Sequence, residues 1–453
     1  MPDVFLVIGG SGFVGRHIVQ QLVARNDTVA VLDIVQRYHD VPFYQGDITD
    51  QAQVADVLRK TGTTCIIHTA SPAVINFGAD ELYYRVNVGG TKAIIAAALE
   101  TGVRKLVYTS SAGIVFTGGD LIDVDERVPY PAKPKDAYSD SKAQAEAAVL
   151  EANGKGGLLT VALRPAGIFG PGDRQLMTGL YNIYERGQTH FQVGDNTNLF
   201  DWTYVGNVAA AHLIAAERLD DPLPAPPLSK LSEMPRFPDE VPPLTDAEAA
   251  LVHNALPSID LTTGVHRVPT SAARPLGPYV EPPPNADAIL DAWKNPVPED
   301  RPAVRTRFDA FSDYYIARAK LANPDQSVLH VAGQAFFITN GEPCYFWDMT
   351  RLVWHYLDAV FPEKAEARKR SIIALPKGLG MMAAAGAEWW AWLRGIEPTF
   401  TRFRVSYSCA HRWYNIEKAR RLLGYEPQVS VAEGVKLTVD WWKEEYLASH
   451  KAQ

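Results

Sequence analysis

The stretch "DAYSDSKAQAE" sets Tyr138 four residues before Lys142, so a helix would carry both on one face. A phenol and an ammonium one turn apart can touch for structural reasons alone, or they can move protons. Free tyrosine, with a pKa of about 10, is a poor base near neutrality. A nearby ammonium stabilises its phenolate and brings the value down. "YTSSAG" places Ser110 and Ser111 at the end of an apolar run, Ser111 lying 27 residues before Tyr138. Taking a hydride from an alcohol requires taking its proton as well, so a base must hydrogen-bond that hydroxyl. A serine can orient the alcohol and polarise the carbonyl that forms. Tyr138, Lys142 and Ser111 together hold the parts for that chemistry.

A hydride needs an acceptor, and the first residues offer a place for one. "VIGGSGFVGRH" spaces Gly9, Gly12 and Gly15 as G-x-x-G-x-x-G between a strand and a helix. Gly9 permits the tight turn, Gly12 lets backbone approach a pyrophosphate, and Gly15 lets helix and strand pack closely. The helix N-terminus then turns unpaired N–H groups toward phosphate charge. Asp33 closes the second strand, 21 residues after Gly12. A carboxylate there accepts from adenosine ribose hydroxyls and repels a 2′-phosphate, which favours NAD over NADP, with NADP possible because Arg37 is close. Asp47 in "QGDITD" either caps the helix behind it or meets the adenine amine. In "HTASP", Thr69, Ala70 and Ser71 end a strand with side chains small enough to leave room for a dinucleotide.

These residues need a frame. "VFLVIGG", "TVAVLD", "TCIIHTAS", "KLVYTSS" and "LLTVALRPAGIFG" read as strands that are apolar throughout, and helical patterns separate them. That combination indicates a parallel sheet covered on both faces. The expected fold is α/β, a Rossmann-like doubly wound sheet with a smaller C-terminal substrate-binding region. Fifteen of the 32 prolines fall between Pro222 and Pro284, marking an inserted, partly disordered segment. The expected division is 1–220 for dinucleotide binding, with substrate segments from about 173, then 221–325 for the insertion and 326–453 for the substrate region.

The chain has 453 residues, 47% of them hydrophobic and 21% charged, which suits a globular protein with a large core. A net charge of −8 with no basic stripe argues against a nucleic-acid partner. Three scattered cysteines, Cys65, Cys344 and Cys409, build neither a disulfide framework nor a zinc site, so a reducing compartment is expected and no metal. The Gly-rich turn arrives too early for a signal peptide. "SIIALPKGLGMMAAAGAEWWAWLRG", Ser371–Gly395, is apolar but interrupted by Pro376, Lys377 and Glu388, so it should not span a membrane. Trp389, Trp390 and Trp392 beside Arg394 either lie at a membrane interface or are buried in a substrate-domain helix.

The glycine turn with Phe13, Asp33, "HTASP", "VNVGGT" with Asn87, "YTSSA", Tyr138/Lys142 and "LRPAGIFGPGD" resemble the extended short-chain dehydrogenase/reductases. Within these the chain looks like the 3β-hydroxysteroid dehydrogenase branch, over about residues 4–216 and 330–445. One departure is Ile8 where many members carry Thr. "NLFDWTYVGNVAAAH" and "AGQAFFITNGEPCYFWDM" sharpen the likeness toward enzymes of sterol synthesis. The resemblance implies Tyr138 as proton acceptor, Lys142 as its partner and Ser111 as the orienting hydroxyl. It implies that Gly9, Gly12, Phe13, Val14, Gly15, Asp33, Asp47, Ile48, Thr69, Ala70, Ser71, Asn87, Ser110, Tyr138, Lys142, Pro165 and Ile168 contact NAD, Pro165 bordering the nicotinamide. The implied reaction is oxidation of a sterol 3β-hydroxyl next to a C4 carboxylate, followed by loss of CO2. A homodimer, a membrane-bound sterol C4-demethylation complex and the cytosolic face of the endoplasmic reticulum membrane are implied with it. Phe191, Phe200, Trp202, Phe336, Phe337 and Tyr345 could wall an apolar pocket or be plain core. Arg164 and Arg174 could meet a substrate carboxylate or serve structure. Sugar-nucleotide epimerases share the Tyr/Lys scaffold but want a basic cluster for a second pyrophosphate. A triterpenoid dehydrogenase of secondary metabolism would have an equally apolar pocket, whereas a non-catalytic NAD sensor typically lacks the Tyr/Lys pair.

Overall fold

The computed structural model describes residues 2–72, 80–126, 128–196, 198–220, 331–365, 372–395, 400–416 and 418–451. The 221–325 insertion lies outside them.

Seven strands form the main sheet: β1 (Val4–Ile8), β2 (Thr28–Asp33), β3 (Phe43–Gln45), β4 (Cys65–His68), β5 (Lys105–Thr109), β7 (Leu159–Pro165) and β12 (Gln334–Ile338). Their order is β12-β7-β5-β4-β1-β2-β3, and every neighbouring pair is parallel. Alternate residues of a strand face opposite sides, and here each side has its own apolar layer. Phe5, Val7, Val29, Val31, Ile67, Val107, Val161 and Leu163 enter one core. Leu6, Ile8, Ala30, Leu32, Ile66, Leu106, Tyr108 and Ala162 enter the other. A strand buried on both faces has no position left for a polar residue, hence the unbroken apolar runs. Each such Leu or Ile contributes roughly 1.5–3 kcal/mol by leaving water.

Helices α1 (Phe13–Ala24), α2 (Gln51–Thr61), α4 (Thr91–Thr101), α5 (Ala137–Glu151) and α7 (Val205–Arg218) connect and cover these strands. Between the short α3 (Asp80–Tyr83) and α4 the backbone makes a π-type turn, Tyr84–Gly90. The chain leaves β1 for β2 and β3 on one side and returns to β4 on the other. The strand order therefore reverses between β1 and β4, and the crevice there is where such sheets bind ligands.

The division expected at 326 differs from the architecture in one respect. "QAFFI" is not part of a separate substrate region but the seventh strand of the main sheet, with Gln334–Ile338 registered against Val161–Pro165. After it the chain enters the second unit. There β13 (Cys344–Tyr345), β10 (Leu199–Phe200), β15 (Arg412–Tyr414) and β6 (Leu121–Val124) form a small sheet. Strands β8 (Ile168–Phe169) with β11 (Thr203–Tyr204), and β9 (Phe191–Val193) with β14 (Ile373–Leu375), form two further parallel pairs. Helix α6 (Arg174–Glu185), the Phe346–Val360 helix and the Val431–Lys451 helix enclose a third core around Tyr184, Trp354 and Leu357.

Candidate active site

Gly9 turns the chain with φ +86, and its N–H donates to Leu32 O at 2.8 Å. A Cβ on Gly9 would stand 2.6 Å from Ala70 N, and one on Gly15 only 2.2 Å from Gly9 O. Backbone fills that space, so neither position admits a side chain. Gly15→Ala is expected to abolish dinucleotide binding or folding outright, measured by isothermal titration with NAD and by circular dichroism. At Gly12 the only near neighbour of an added Cβ among the described residues is Gly9 O, at 3.1 Å. Gly12 is also the N-cap of α1, with no side-chain cap and no acid in the first turn. The N–H groups of that turn therefore face outward unopposed, as an anionic group requires. Thr69 Oγ1 donates to Ile8 O at 3.0 Å and pins β4 to the glycine turn, a role in which Ile8's own side chain cannot serve.

Asp33 ends β2 beside this turn. Its Oδ2 accepts from Ser11 N at 3.0 Å and its Oδ1 from Ile34 N at 2.7 Å. Arg16, at the same end, is tied by Nη1 to both oxygens of Asp40 at 2.8 Å and lies 4.0 Å over the Tyr38 ring. Arg37 is exposed. Asp47 departs from one expectation: the α2 cap is Asp50, which accepts from Ala52 N and Gln53 N, whereas Asp47 closes a local turn with Thr49. The carboxylate one turn nearer the helix has the shorter reach to its first N–H groups. Ile48 is 6% exposed and packs where a Cβ on Gly90 would be, so its side chain is core. Ser71 is exposed and Ala70 half-buried. Phe13, Val14 and Ile168 lie against the third core, and Pro165 is buried at the end of β7.

Ser110 and Ser111 follow β5 directly. Ser111 caps a short 3₁₀ turn, accepting from Gly113 N at 3.1 Å. Asp136 caps α5 by accepting from Ser139 N at 2.7 Å, which fixes the first turn and hence Tyr138. The Tyr138 ring is half-buried and meets Tyr83 edge-on with centroids 5.6 Å apart. Burial, helped by the Asp136 charge, pushes the phenol up to about 12, while the Ser111 hydroxyl beside it acts the other way. Asn87 donates through Nδ2 to Ser141 Oγ at 3.0 Å, and its Oδ1 is buried with no hydrogen-bond partner among the described residues.

Lys142 lies one turn further along α5. Its stem runs to the sheet edge, where Nζ donates to Thr109 O and stands 4.4 Å over the Tyr108 ring. A stem of four carbons on the turn after Tyr138 reaches the open carbonyl at the end of β5. Burial brings Lys142 down to about 7, with the Glu146 charge opposing. Because the folded protein then binds fewer protons than the unfolded chain between about 7 and 10.5, stability should rise with pH across that window and carry the full burial penalty below it. Lys142→Met should flatten that slope, measured by urea midpoints at both ends of the window.

Glu146 was not anticipated. It lies four residues beyond Lys142, and that repeated spacing was the available signal. Glu146 is fully buried and takes Arg164 Nη2 at 2.6 Å, Arg164 Nε at 3.1 Å and the Tyr130 hydroxyl at 2.7 Å. Burial would raise its carboxyl, but Arg164 together with hydrogen bonds from Ser110 and Tyr130 holds it below the usual range. Arg164 is thus committed to structure, and Arg174 pairs with Glu445 at the surface, so neither is placed for a substrate carboxylate. Phe200, Trp202, Phe336, Phe337 and Tyr345 are buried in cores, and Phe191 is 51% exposed rather than part of a pocket wall. Thr109 Oγ1 bonds His212 Nε2 at 2.7 Å, and His212 Nδ1 bonds Val208 O at 2.7 Å. Since Val208 O can only accept, Nδ1 carries the proton, and burial holds the ring neutral at about 4.

A reversed parallel sheet, a glycine turn at its crevice and a Ser/Tyr/Lys set on the next strand and helix define a short-chain dehydrogenase/reductase of the extended type. Among solved structures, a short-chain dehydrogenase/reductase superfamily protein from Agrobacterium tumefaciens with bound NAD matches 99% of this chain and 100% of its own, with TM-score 0.56 and 14% identity. UDP-glucose 4-epimerase from Thermotoga maritima matches 98% and 99% with TM-score 0.56 and 16% identity. These show the fold. Residues 6–232 match the model of the 3-beta hydroxysteroid dehydrogenase/isomerase family. Sterol-4-alpha-carboxylate 3-dehydrogenase, decarboxylating, of Schizosaccharomyces pombe is 36% identical over 97% of this chain and 98% of its own length. Its namesake in Mus musculus is 31% identical over 96% and 89%. The chain belongs to the 3-beta hydroxysteroid dehydrogenase/isomerase family, and it is a dehydrogenase.

Proposed function

We propose that the protein oxidises the 3β-hydroxyl of a 4α-carboxysterol with NAD and so brings about loss of the C4 carboxylate as CO2. The observation that carries this reading is the meeting of Ser111 and Tyr138 beside the glycine-turn crevice, in a chain that matches decarboxylating sterol dehydrogenases from end to end. The cradle fits a dinucleotide: an uncapped helix N-terminus, space at Gly12 and the orphaned Asn87 Oδ1 all suit one. When bound, that cofactor supplies the hydride acceptor and a positive ring.

In this reading the chain's own residues do the following. Ser111 donates to the sterol oxygen and fixes the alcohol beside the Tyr138 phenol. Tyr138 takes the hydroxyl proton as the C3–H bond breaks, and Ser111 steadies the carbonyl that forms. Lys142, held by Thr109 O, keeps positive charge at the β5 edge and favours the phenolate. The product is a β-keto acid. Its C4–CO2 bond breaks with the electron pair passing into the C3 ketone as an enolate, which a proton then quenches at C4. No basic residue is needed to drive that step.

Asp33 supports NAD over NADP, because Arg16 is tied to Asp40 and offers no free charge to a 2′-phosphate. Asp33→Ser should raise KM for NAD about tenfold and narrow the NAD/NADP preference, read from initial rates with each cofactor. Peripheral attachment to the endoplasmic reticulum, a homodimer and a sterol C4-demethylation assembly belong to the same reading. The test is initial rate with NAD on a 4α-carboxysterol, on the same sterol lacking the carboxylate and on a triterpenoid alcohol, following NADH and CO2. NADH with equal CO2 on the first substrate, at the highest kcat/KM, is expected. A clear preference for either uncarboxylated alcohol would favour the secondary-metabolism reading. Dinucleotide binding without NADH on any substrate would favour the sensor.

A further inference from the structure

Arg412 is a buried cation without a counter-charge. It is 7% exposed, and its Nε and Nη1 are buried with no hydrogen-bond partner among the described residues. No carboxylate among those residues pairs with it; its polar neighbours are the Tyr414 and Tyr407 phenols. Arg164, buried as deeply, shows what structure alone asks for: Glu146 meets it with both oxygens. A guanidinium out of water is stable only when charge or acceptors replace its hydration. Rings supply part of that replacement. Arg412 Cζ stands 4.3 Å from the centre of the Phe116 ring, 4.4 Å from that of Tyr407 and 5.4 Å from that of Phe200. Rings cover the faces of a guanidinium, while its N–H groups lie in the plane and suit the paired oxygens of a carboxylate. Arg412 is thus held by its faces, with in-plane donors left for an acceptor that the described residues do not provide.

The same rings connect Arg412 to the catalytic pair. Phe116 closes the 3₁₀ turn that Ser111 opens as its cap. Two residues along β15 from Arg412, on the same side of the strand, the Tyr414 hydroxyl donates to Ala112 O at 3.2 Å, next to Ser111. Asp201 fixes that strand, its Oδ2 accepting from Tyr414 N at 2.8 Å. Tyr407 is near enough to Tyr138 for its charge to bear on the phenol. Positive charge continues beside them. Lys135, one residue before the Asp136 cap, sets Nζ 5.0 Å from the centre of the same Phe116 ring, and the charges of Arg412 and Lys377 both reach it.

A 4α-carboxysterol carries its carboxylate on the carbon next to the one that bears the alcohol. A group that reads that anion must therefore lie close to the place where Ser111 and Tyr138 take the hydroxyl. We propose that Arg412 binds the C4 carboxylate and makes the enzyme select a 4-carboxylated alcohol, with Lys135 adding to the positive potential around it. This rests on the oxidation proposed above and adds the residue that chooses among alcohols. Arg412 does not drive the loss of CO2, because a cation stabilises the carboxylate more than the neutral product. It orients C3 for oxidation, and the C4–CO2 bond then breaks as its electron pair passes into the ketone.

The test uses the full chain with NAD and two sterols of nearly the same shape, a 4α-carboxysterol and its 4α-hydroxymethyl counterpart. The ratio of their kcat/KM values should favour the acid in wild type and fall ~100-fold in Arg412→Met, mainly through KM for the acid. Arg412→Lys keeps the charge but not the planar fork, so its ratio should lie between the two; it carries the test if Arg412→Met does not fold. A purely structural Arg412 would lower both kcat/KM values together and leave the ratio in place. Binding of the same sterols to the enzyme with NADH, followed by tryptophan fluorescence, reads recognition apart from chemistry. Tighter binding of the acid that the variants lose, with no NADH formed from either sterol and NAD, would sink the oxidation and leave the carboxylate site standing. A ratio that neither variant changes, or a wild type that binds both sterols alike, would overturn the role of Arg412.

Discussion

Tyr138→Phe is expected to lower kcat about a thousandfold or more while leaving the NAD dissociation constant within about twofold. The substitution removes one oxygen. The ring keeps its edge-on contact with Tyr83 at 5.6 Å, so the first turn of α5 stays in place. What goes is the group that accepts the alcohol proton, and Ser111 cannot replace it, because a serine hydroxyl is a far weaker acid than a phenol. Burial and the Asp136 charge push the phenol up to about 12, so turnover should climb as pH rises toward that value. A pH profile of kcat/KM reads the free enzyme directly. Stopped-flow NADH formation and NAD titration by tryptophan quenching separate chemistry from binding.

Glu146→Gln should be the most destabilising of the conservative changes near the site, by about 3–5 kcal/mol. It leaves Arg164 buried, 4% exposed, with two donor nitrogens, Nε and Nη2, that had faced one carboxylate. The Tyr130 hydroxyl loses its charged acceptor at the same moment. Removing both charges in Glu146→Gln/Arg164→Met should recover most of the loss, since the cost lies in the uncompensated guanidinium rather than in the absence of the pair. Urea unfolding of both variants decides it. A single variant within about 1 kcal/mol of wild type would mean that water or a shifted side chain already satisfies Arg164.

The sheet was legible because its signal is local. Leu6 and Val7 face opposite cores, so strand after strand reads as an unbroken apolar run, and the glycine turn falls where such a strand meets a helix. The seventh strand was not legible in its place. "QAFFI" follows a segment of more than a hundred residues, and nothing local says that it registers against Val161–Pro165. Side-chain trajectories were hidden for a related reason. Helix spacing places the roots of Tyr138 and Lys142 on one face, but whether the ammonium reaches the phenol or the Thr109 carbonyl depends on where β5 ends. Arg164 could be weighed as a substrate contact only while Glu146, its partner 18 residues earlier, went unnoticed. Trp389 and Trp390, 61% and 52% exposed, show the same limit: an apolar periodicity reveals a face and not whether it turns inward or outward.

The most direct measurement is a single turnover of a 4α-carboxysterol carrying isotope in the carboxyl group, with NAD and excess enzyme, in wild type and Tyr138→Phe. In wild type, one NADH and one labelled CO2 should appear per sterol, CO2 never ahead of NADH, and the variant should bind both ligands yet yield neither. CO2 released before NADH, or a variant that matches the wild-type rate, would contradict oxidation at C3 by proton transfer to Tyr138.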